Sequence, residues 1–378
     1  MKVLYITNSG VGGANQSLLS SIVYLKTFGV VPKVVVPNKK TSLIFENVCE
    51  TSVVKMRFRI WPVVQRPIDY LLFLPRLVVN SMQNVSAKKK IAKICSAFLP
   101  DIIHTNVGVL DVGYDVAKKM KIPHLWHIRE YGYEDFGYVF FPSLSFHKKR
   151  LDDSYTISVT KALELHFHLL HNKAIYDGVY SETYQSEYRQ KQDYFLFVGQ
   201  LTKGKGVDFL IDTFIKFLGI NKRFKLLLAG QGANDFVSEL NVKVQQNHLE
   251  DRIMFLGQRN DVAKLMSEAK ALIVPSPKEG LGRITIEAMF NNCLVVGYDS
   301  AGTKEQFDNG MEITNAEIAF RFSSEQELID LLHKICCMDD TTIKLKTDRA
   351  NEVVRQLYTL EKNSTCIYDY YKEIVKKG

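Results

Sequence analysis

The sequence predicts an α/β protein built from two doubly wound parallel-sheet domains facing each other across a cleft. At 378 residues the chain is too long for one ordinary core. Short β-rich runs alternate with helical patterns, which argues for parallel sheets covered on both faces. That alternation stops at a polar stretch without apolar period, 177–193, and then restarts. The predicted domains are therefore 1–180 and 190–360, joined by a linker.

In chain order, the first strand is read at 3–7, a helix at 15–28 and a second strand at 33–36. Strands at 101–105, 124–127 and 156–159 follow, with a helix at 112–120. The second domain repeats the theme with strands at 195–198, 225–229, 253–256, 271–274 and 294–297. Its helices fall at 207–218 and 235–246, another begins after Gly282, and 325–376 reads as helical throughout. In such sheets ligands bind beyond the carboxyl ends of the strands, so the loops there are the places to look for chemistry.

The chain is 46% hydrophobic and 24% charged, ordinary for a soluble enzyme. Its six cysteines form no C-x-x-C pair and no metal-ligand spacing, and read as reduced thiols. Residues 1–7 resemble a first strand rather than a signal peptide, and no apolar run approaches the ~20 residues of a spanning helix. The expected location is the cytoplasm. The net charge of +8 is uneven: residues 1–190 hold 24 Lys and Arg against 15 Asp and Glu, whereas 191–378 hold 25 against 26. Much of the excess lies at 55–93, from Lys55, Arg57 and Arg59 to Lys88, Lys89, Lys90 and Lys93, interleaved with Ile60, Trp61, Leu71–Leu74 and Val78. Basic and apolar side chains together suit peripheral contact with the inner face of the cell membrane. A solvated basic helix over a core is the alternative, and Pro62, Pro67 and Pro75 argue against one long amphipathic helix there. No nucleic-acid module accompanies the charge, so nucleic acid is not expected as a partner.

Four loops carry candidate chemistry. In Pro275-Ser276-Pro277-Lys278-Glu279-Gly280-Leu281-Gly282-Arg283, followed by Glu287, a strand leads through glycines into a helix. Glu279 falls on the loop and Glu287 in the first turn of the helix. Glycines admit close backbone approach, and a helix start offers unpaired N–H groups to anions, which suits a ligand carrying sugar hydroxyls and phosphates. The eight-residue spacing alone is weak, since Glu317 and Glu325 share it; Glu287 could instead complement the helix dipole. Asn8-Ser9-Gly10-Val11-Gly12-Gly13 opens the first helix and suits phosphate or close backbone approach, although a tight turn explains it as well. Gly199-Gln200-Leu201-Thr202-Lys203-Gly204-Lys205 could bring positive charge to a diphosphate, or be a solvated lysine loop. His127-Ile128-Arg129-Glu130 ends a strand, where site residues are expected, and the following aromatics (Tyr131, Tyr133, Phe136, Tyr138, Phe140) could line an acceptor site or simply pack.

Taken together these motifs resemble glycosyltransferase family 4, the group 1 retaining nucleotide-sugar transferases of GT-B fold, whose two domains are Rossmann-like. The resemblance is densest at 194–305, where Gly199-Gln200-Leu201, Lys205-Gly206, Ala229-Gly230-Gln231-Gly232, Glu279-Gly280-Leu281-Gly282, Glu287-Ala288-Met289 and Gly302-Thr303-Lys304-Glu305 fall in the family's order. The segments Asp101-Ile102-Ile103-His104-Thr105-Asn106 and Trp126-His127-Ile128-Arg129-Glu130 are similar to bacterial members that build surface polysaccharides. The resemblance implies that Glu279 binds donor-sugar hydroxyls, Glu287 the ribose, and the amides around Leu281–Arg283 the sugar and diphosphate. It implies that Lys205 neutralises the leaving group, that His127 sits near donor sugar and acceptor, and that Gly12, Gly13, Gly199, Gln200, Gly230, Gly280 and Gly282 complete the donor site. It also implies that a closing helix, 361–378, returns to the first domain.

One departure stands out: Gln200 occupies a place where the family usually has Arg, and an amide cannot supply charge. No D-x-D triplet occurs, which favours a mechanism without metal or other cofactor. The expected function is therefore transfer of a sugar from a nucleotide diphosphate-sugar, a UDP-sugar by family frequency, to a saccharide or polyprenyl-linked acceptor in surface polysaccharide biosynthesis. An epimerase or phosphorylase of the same fold, or a non-catalytic nucleotide-sugar-binding partner, is the alternative.

Overall fold

Strands rich in Val, Ile and Leu on both faces build two parallel sheets, as expected when helices cover both sides. The computed structural model describes residues 1–377 except Val11 and Gln65. The chain forms two compact units, Met1–Gly178 with Leu360–Gly378, and Val179–Thr359.

In the first unit the strands are β1 (Lys2–Ile6), β2 (Val31–Val36), β3 (Glu50–Val53), β4 (Ile102–Thr105), β5 (His124–Ile128), β6 (Tyr155–Ser158) and β7 (Asn172–Ala174). They pair in the order β3-β2-β1-β4-β5-β6-β7, every neighbour parallel. The order reverses direction between β1 and β4, so the loops after these strands diverge and leave a crevice. The helix Gly13–Thr27 buries Leu18, Ile22 and Leu25 at helical spacing against this sheet. The last helix, Leu360–Lys377, adds Ile367, Tyr370, Tyr371 and Ile374 to the same core. Ser21 donates to Asn363 at 2.8 Å, and Tyr24 to Glu361 at 2.9 Å, between these two helices.

The second unit has β8 (Gln192–Val198), β9 (Lys225–Ala229), β10 (Ile253–Gly257), β11 (Ala269–Val274), β12 (Val295–Tyr298) and β13 (Phe320–Phe322). Their order is β10-β9-β8-β11-β12-β13, again all parallel, with the reversal between β8 and β11. Its core gathers Phe195, Phe214, Phe217, Leu226, Leu228, Ile273 and Val296.

Three expectations need correction. The polar stretch read as a linker is packed on the second unit: Tyr180 stacks on Tyr184 with ring centroids 3.9 Å apart, Tyr184 donates to Asn291 at 2.6 Å, and Arg355 donates to the Tyr184 carbonyl. A long helix does run through the basic segment, Phe73–Phe98, preceded by a short one, Pro67–Leu71. Pro67 and Pro75 lie within first turns, where an amide has no intrahelical acceptor, so neither interrupts a helix. The stretch 325–376 is three helices, Glu325–Cys336, Asp340–Leu357 and Leu360–Lys377, with Ser324 and Asp339 side chains capping the first two.

Candidate active site

The switch point of the second sheet brings two distant loops together. The loop after β8 ends in a single tight turn, Lys203–Lys205, and the loop after β11 carries Glu279. Lys205 Nζ donates to Glu279 Oε1 at 2.6 Å, although 74 residues separate them. The pair is partly open to solvent, 34% for the lysine and 12% for the glutamate. A charge-assisted bond of this length between partly open groups leaves both able to exchange partners with a charged ligand.

The glycine loop between Glu279 and the next helix is held from behind. Gly302 donates to the Glu279 carbonyl at 3.0 Å. The buried Gln306 side chain donates to the Leu281 carbonyl and, at 3.3 Å, to that of Gly282. A Cβ on Gly302 would lie 2.7 Å from the Gly280 carbonyl oxygen, so only glycine allows this close approach. In trans peptides N–H and C=O point in opposite directions. Carbonyls anchored to the supporting helix, Ala301–Thr314, therefore turn the amides of Gly282 and Arg283 away from it. Gly282, with φ +77°, is the N-cap of the helix Arg283–Phe290. Glu287 is consequently its fifth residue, not in the first turn as expected, because the helix begins immediately after Gly282. There it faces Arg283 across 3.8 Å, and burial, opposed by the Arg283 charge, raises its carboxyl above the usual range.

Other predicted residues take different places. Gly230 is a packing residue: a Cβ there would stand 1.7 Å from the Gly199 carbonyl oxygen. Gly199 donates to the Ala229 carbonyl at 3.0 Å, so these two glycines knit the β8 and β9 loops together. Gln200 is exposed. Leu281 is buried and Arg283 half-buried.

In the first unit Gly12 is the N-cap of the helix Gly13–Thr27, with both glycines exposed; Val11 lies outside the described residues. Asn15 holds this turn by donating to the carbonyls of Gly10 at 2.7 Å and Asn8 at 3.2 Å. His127, near the end of β5, is 1% exposed. Burial, then the charges of Arg129 and His104, hold its imidazole well below its ordinary range, so it is neutral. Glu130, three residues further on, is buried and accepts from the amides of Gly108 at 2.7 Å and Val109 at 3.3 Å. Burial pushes its carboxyl up to about 7, with Asp135 adding to the effect. The aromatic run divides: Tyr131 and Phe140 are buried, Phe140 against His147, while Tyr133 and Phe136 are exposed.

Gln306 and Asp177 escaped sequence reasoning, and Asn106 entered it only as the last residue of a family-like segment. Gln306 directly follows the Gly302–Glu305 motif, which is a signal of position but not of role. Asp177 was read as the start of a linker.

Residues 182–344 match the family described as glycosyl transferases group 1. That match lies within the second unit, Val179–Thr359. The chain is 26% identical over 179 residues to N-acetyl-alpha-D-glucosaminyl L-malate synthase of Bacillus anthracis, covering 47% of this chain and 45% of that protein. It is 25% identical over 183 residues to the lipopolysaccharide core biosynthesis mannosyltransferase LpsB of Rhizobium meliloti, covering 47% and 51%. The chain thus spans about half the length of the curated relatives it matches. Over almost its whole length it shares the fold of Anabaena HepE solved with UDP, at a TM-score of 0.77 and 20% identity, covering 99% of this chain and 100% of that one. That fold is GT-B.

Proposed function

We propose that the protein is a retaining glycosyltransferase of family 4. It moves a sugar from a nucleotide diphosphate-sugar to a saccharide or polyprenyl-linked acceptor during surface polysaccharide biosynthesis. The observation that carries this reading is the meeting of Lys205 and Glu279 beside an amide edge at the sheet's switch point. The bond from the anomeric carbon to the diphosphate oxygen breaks, one to the acceptor oxygen forms, and the acceptor hydroxyl's proton leaves with the departing diphosphate. Lys205 and the amides of Gly282 and Arg283 stabilise charge growing on the diphosphate, Glu279 accepts from sugar hydroxyls, and Glu287 from the ribose. Gly280 and Leu281 shape that edge, and Gly199, Gln200 and Gly230 border the donor. Gly12, Gly13 and His127 are assigned to donor closure and acceptor orientation. Lys205 takes the place that a metal ion would otherwise fill, so turnover should survive EDTA. A UDP-sugar is the favoured donor, consistent with the UDP and UDP-glucose complexes of the fold relative.

The same reading places the protein peripherally on the inner face of the cell membrane. Among the described residues no helix is long and apolar enough to cross a membrane. The helix Phe73–Phe98 leaves Leu74, Val78, Met82 and Val85 exposed on one stripe, and Ile68, Tyr70 and Leu71 of the preceding helix are exposed too. Asp69, the one acidic residue of 54–98, is buried and paired with Arg76. The apolar stripe and the net basic charge of this segment together suit an anionic bilayer. The decisive experiment is Glu279→Ala: transfer should be abolished while the circular dichroism melt is retained. Unchanged turnover sinks the assignment.

A further inference from the structure

We infer that Arg129 is a positioning residue that fixes His127 in one tautomer, and that the buried Asp177 exists to hold Arg129 in place. This rests on the reading above only in giving His127 a part in transfer; the geometry stands by itself.

Arg129 follows β5 and meets four acceptor atoms on three residues. Its Nε donates to the carbonyl of Asn106 at 3.2 Å and to the Asn106 side-chain oxygen at 3.1 Å. Its Nη1 is ion-paired with Asp177 Oδ2, both side chains being buried. Its Nη2 stands 3.2 Å from His127 Nδ1. A guanidinium has donors only, so Nδ1 of His127 must be the acceptor. The ring is then neutral and carries its proton on Nε2. Nε2 lies 3.9 Å from Asp177 Oδ1, and neither atom has a hydrogen-bond partner among the described residues. A donor and an acceptor left unmatched inside the protein are costly unless something uses them.

The surroundings leave the ring little freedom. His104 stacks on His127 with centroids 5.4 Å apart. His104 Nδ1 is 2.5 Å from the hydroxyl of Tyr371 on the last helix, which in turn donates to Tyr5 at 3.2 Å. Asn106 donates to Thr7 and to the Ala14 carbonyl, both at 3.1 Å, tying Arg129 to the turn that carries Gly12 and Gly13. Asp177 lies one residue before the first unit ends at Gly178. Burial, Arg129 and His104 thus keep the imidazole neutral, and Arg129 on one side with Asp177 on the other leaves Nε2–H as its single donor. That is what orienting a hydroxyl oxygen requires and what proton abstraction by Nε2 does not.

The test is long-range 1H–15N spectroscopy on the full chain labelled at its nine histidines, with His127→Asn assigning the signal. The wild type should show Nε2–H with bare Nδ1 between pH 5.5 and 8.5, without titration. Arg129→Lys, which keeps a charge for Asp177 but loses the fork, should mix the tautomers and lower kcat at least tenfold with less than threefold change in donor KM. If that variant does not fold, Arg129→Gln with Asp177→Asn removes both buried charges together and keeps an amide donor for Nδ1. It should fold and retain the Nε2–H signature. An Nδ1–H ring or ordinary titration in the wild type overturns the inference, and so does an unmixed tautomer in folded Arg129→Lys. Full turnover by His127→Asn would instead remove His127 from the proposed reaction while leaving the tautomer assignment intact.

Discussion

The two units handle polar groups in opposite ways. At the switch point of the second sheet, Lys205 and Glu279 form one short, half-open ion pair on loops. At the corresponding end of the first sheet, His127, Arg129, Asp177 and Asn106 form a network shut away from water. An ion pair in contact with solvent is worth little to stability, so it can be traded for a ligand's charges at small expense. A buried pair contributes orientation instead, because removing either partner strands a charge. One arrangement is suited to exchanging partners and the other to keeping them.

The largest expected effect breaks the open pair. Lys205→Ala removes the cation assigned to the leaving diphosphate and should lower kcat by about 10²–10³, the range seen when one preorganised stabilising donor is lost. Its melting temperature should stay close to wild type, since the lysine is 34% exposed and the pair keeps contact with solvent. If turnover is kept, or if the protein unfolds, the contrast between the two regions fails. Slow donor hydrolysis, followed by release of nucleotide diphosphate, measures the same step without an acceptor.

Much of this contrast was legible in the sequence, and the reason is locality. The loop 275–283 announces itself because strand, glycines and helix start are contiguous, and the chain order predicts where Lys205 arrives. The carboxyl-end position of His127 was equally local. What escaped is set by contacts between distant residues: Gln306 reaches back to Leu281, and Asp177 reaches Arg129 from 48 residues away. Strand β3 reads Glu-Thr-Ser-Val at a sheet edge, where no second neighbour demands apolar residues, and β13 has only three residues, too few for a period. Pro75 misled because a proline's effect depends on its place in a turn.

A smaller effect probes the buried side through pH. Glu130 is raised from 4.5 to about 7 by burial. The folded state therefore binds its proton more tightly than the unfolded chain. That contribution to stability is fully present below about pH 4.5 and is lost as pH rises through 7, on the order of 3 kcal/mol at about 1.4 kcal/mol per unit. Glu130→Gln keeps an acceptor for the Gly108 and Val109 amides and should flatten the profile. Denaturant midpoints at pH 5 and 8 compare the two proteins. A wild type that gains stability relative to the variant on going to pH 8 contradicts the sign.

The smallest effect concerns the exposed stripe on the helix Phe73–Phe98, where neither an ion pair nor a buried network organises the side chains. Leu74, Val78 and Met82 are each more than half exposed, so replacing all three with Gln should change the unfolding free energy by only a few tenths of a kcal/mol per site. Binding to vesicles should respond instead. Inserting one such side chain yields at most about 1.5–3 kcal/mol, and partial insertion at an interface less, so the triple variant should bind anionic vesicles roughly tenfold to a hundredfold more weakly. Neighbouring basic residues add about 1 kcal/mol each near an anionic surface, so wild-type binding should fall on neutral phosphatidylcholine and at high salt. Turnover with a water-soluble acceptor should be unaffected, because the stripe is assigned to no step of the reaction. Equal sedimentation of wild type and variant with anionic vesicles would return this helix to the alternative drawn from its sequence, a solvated basic face.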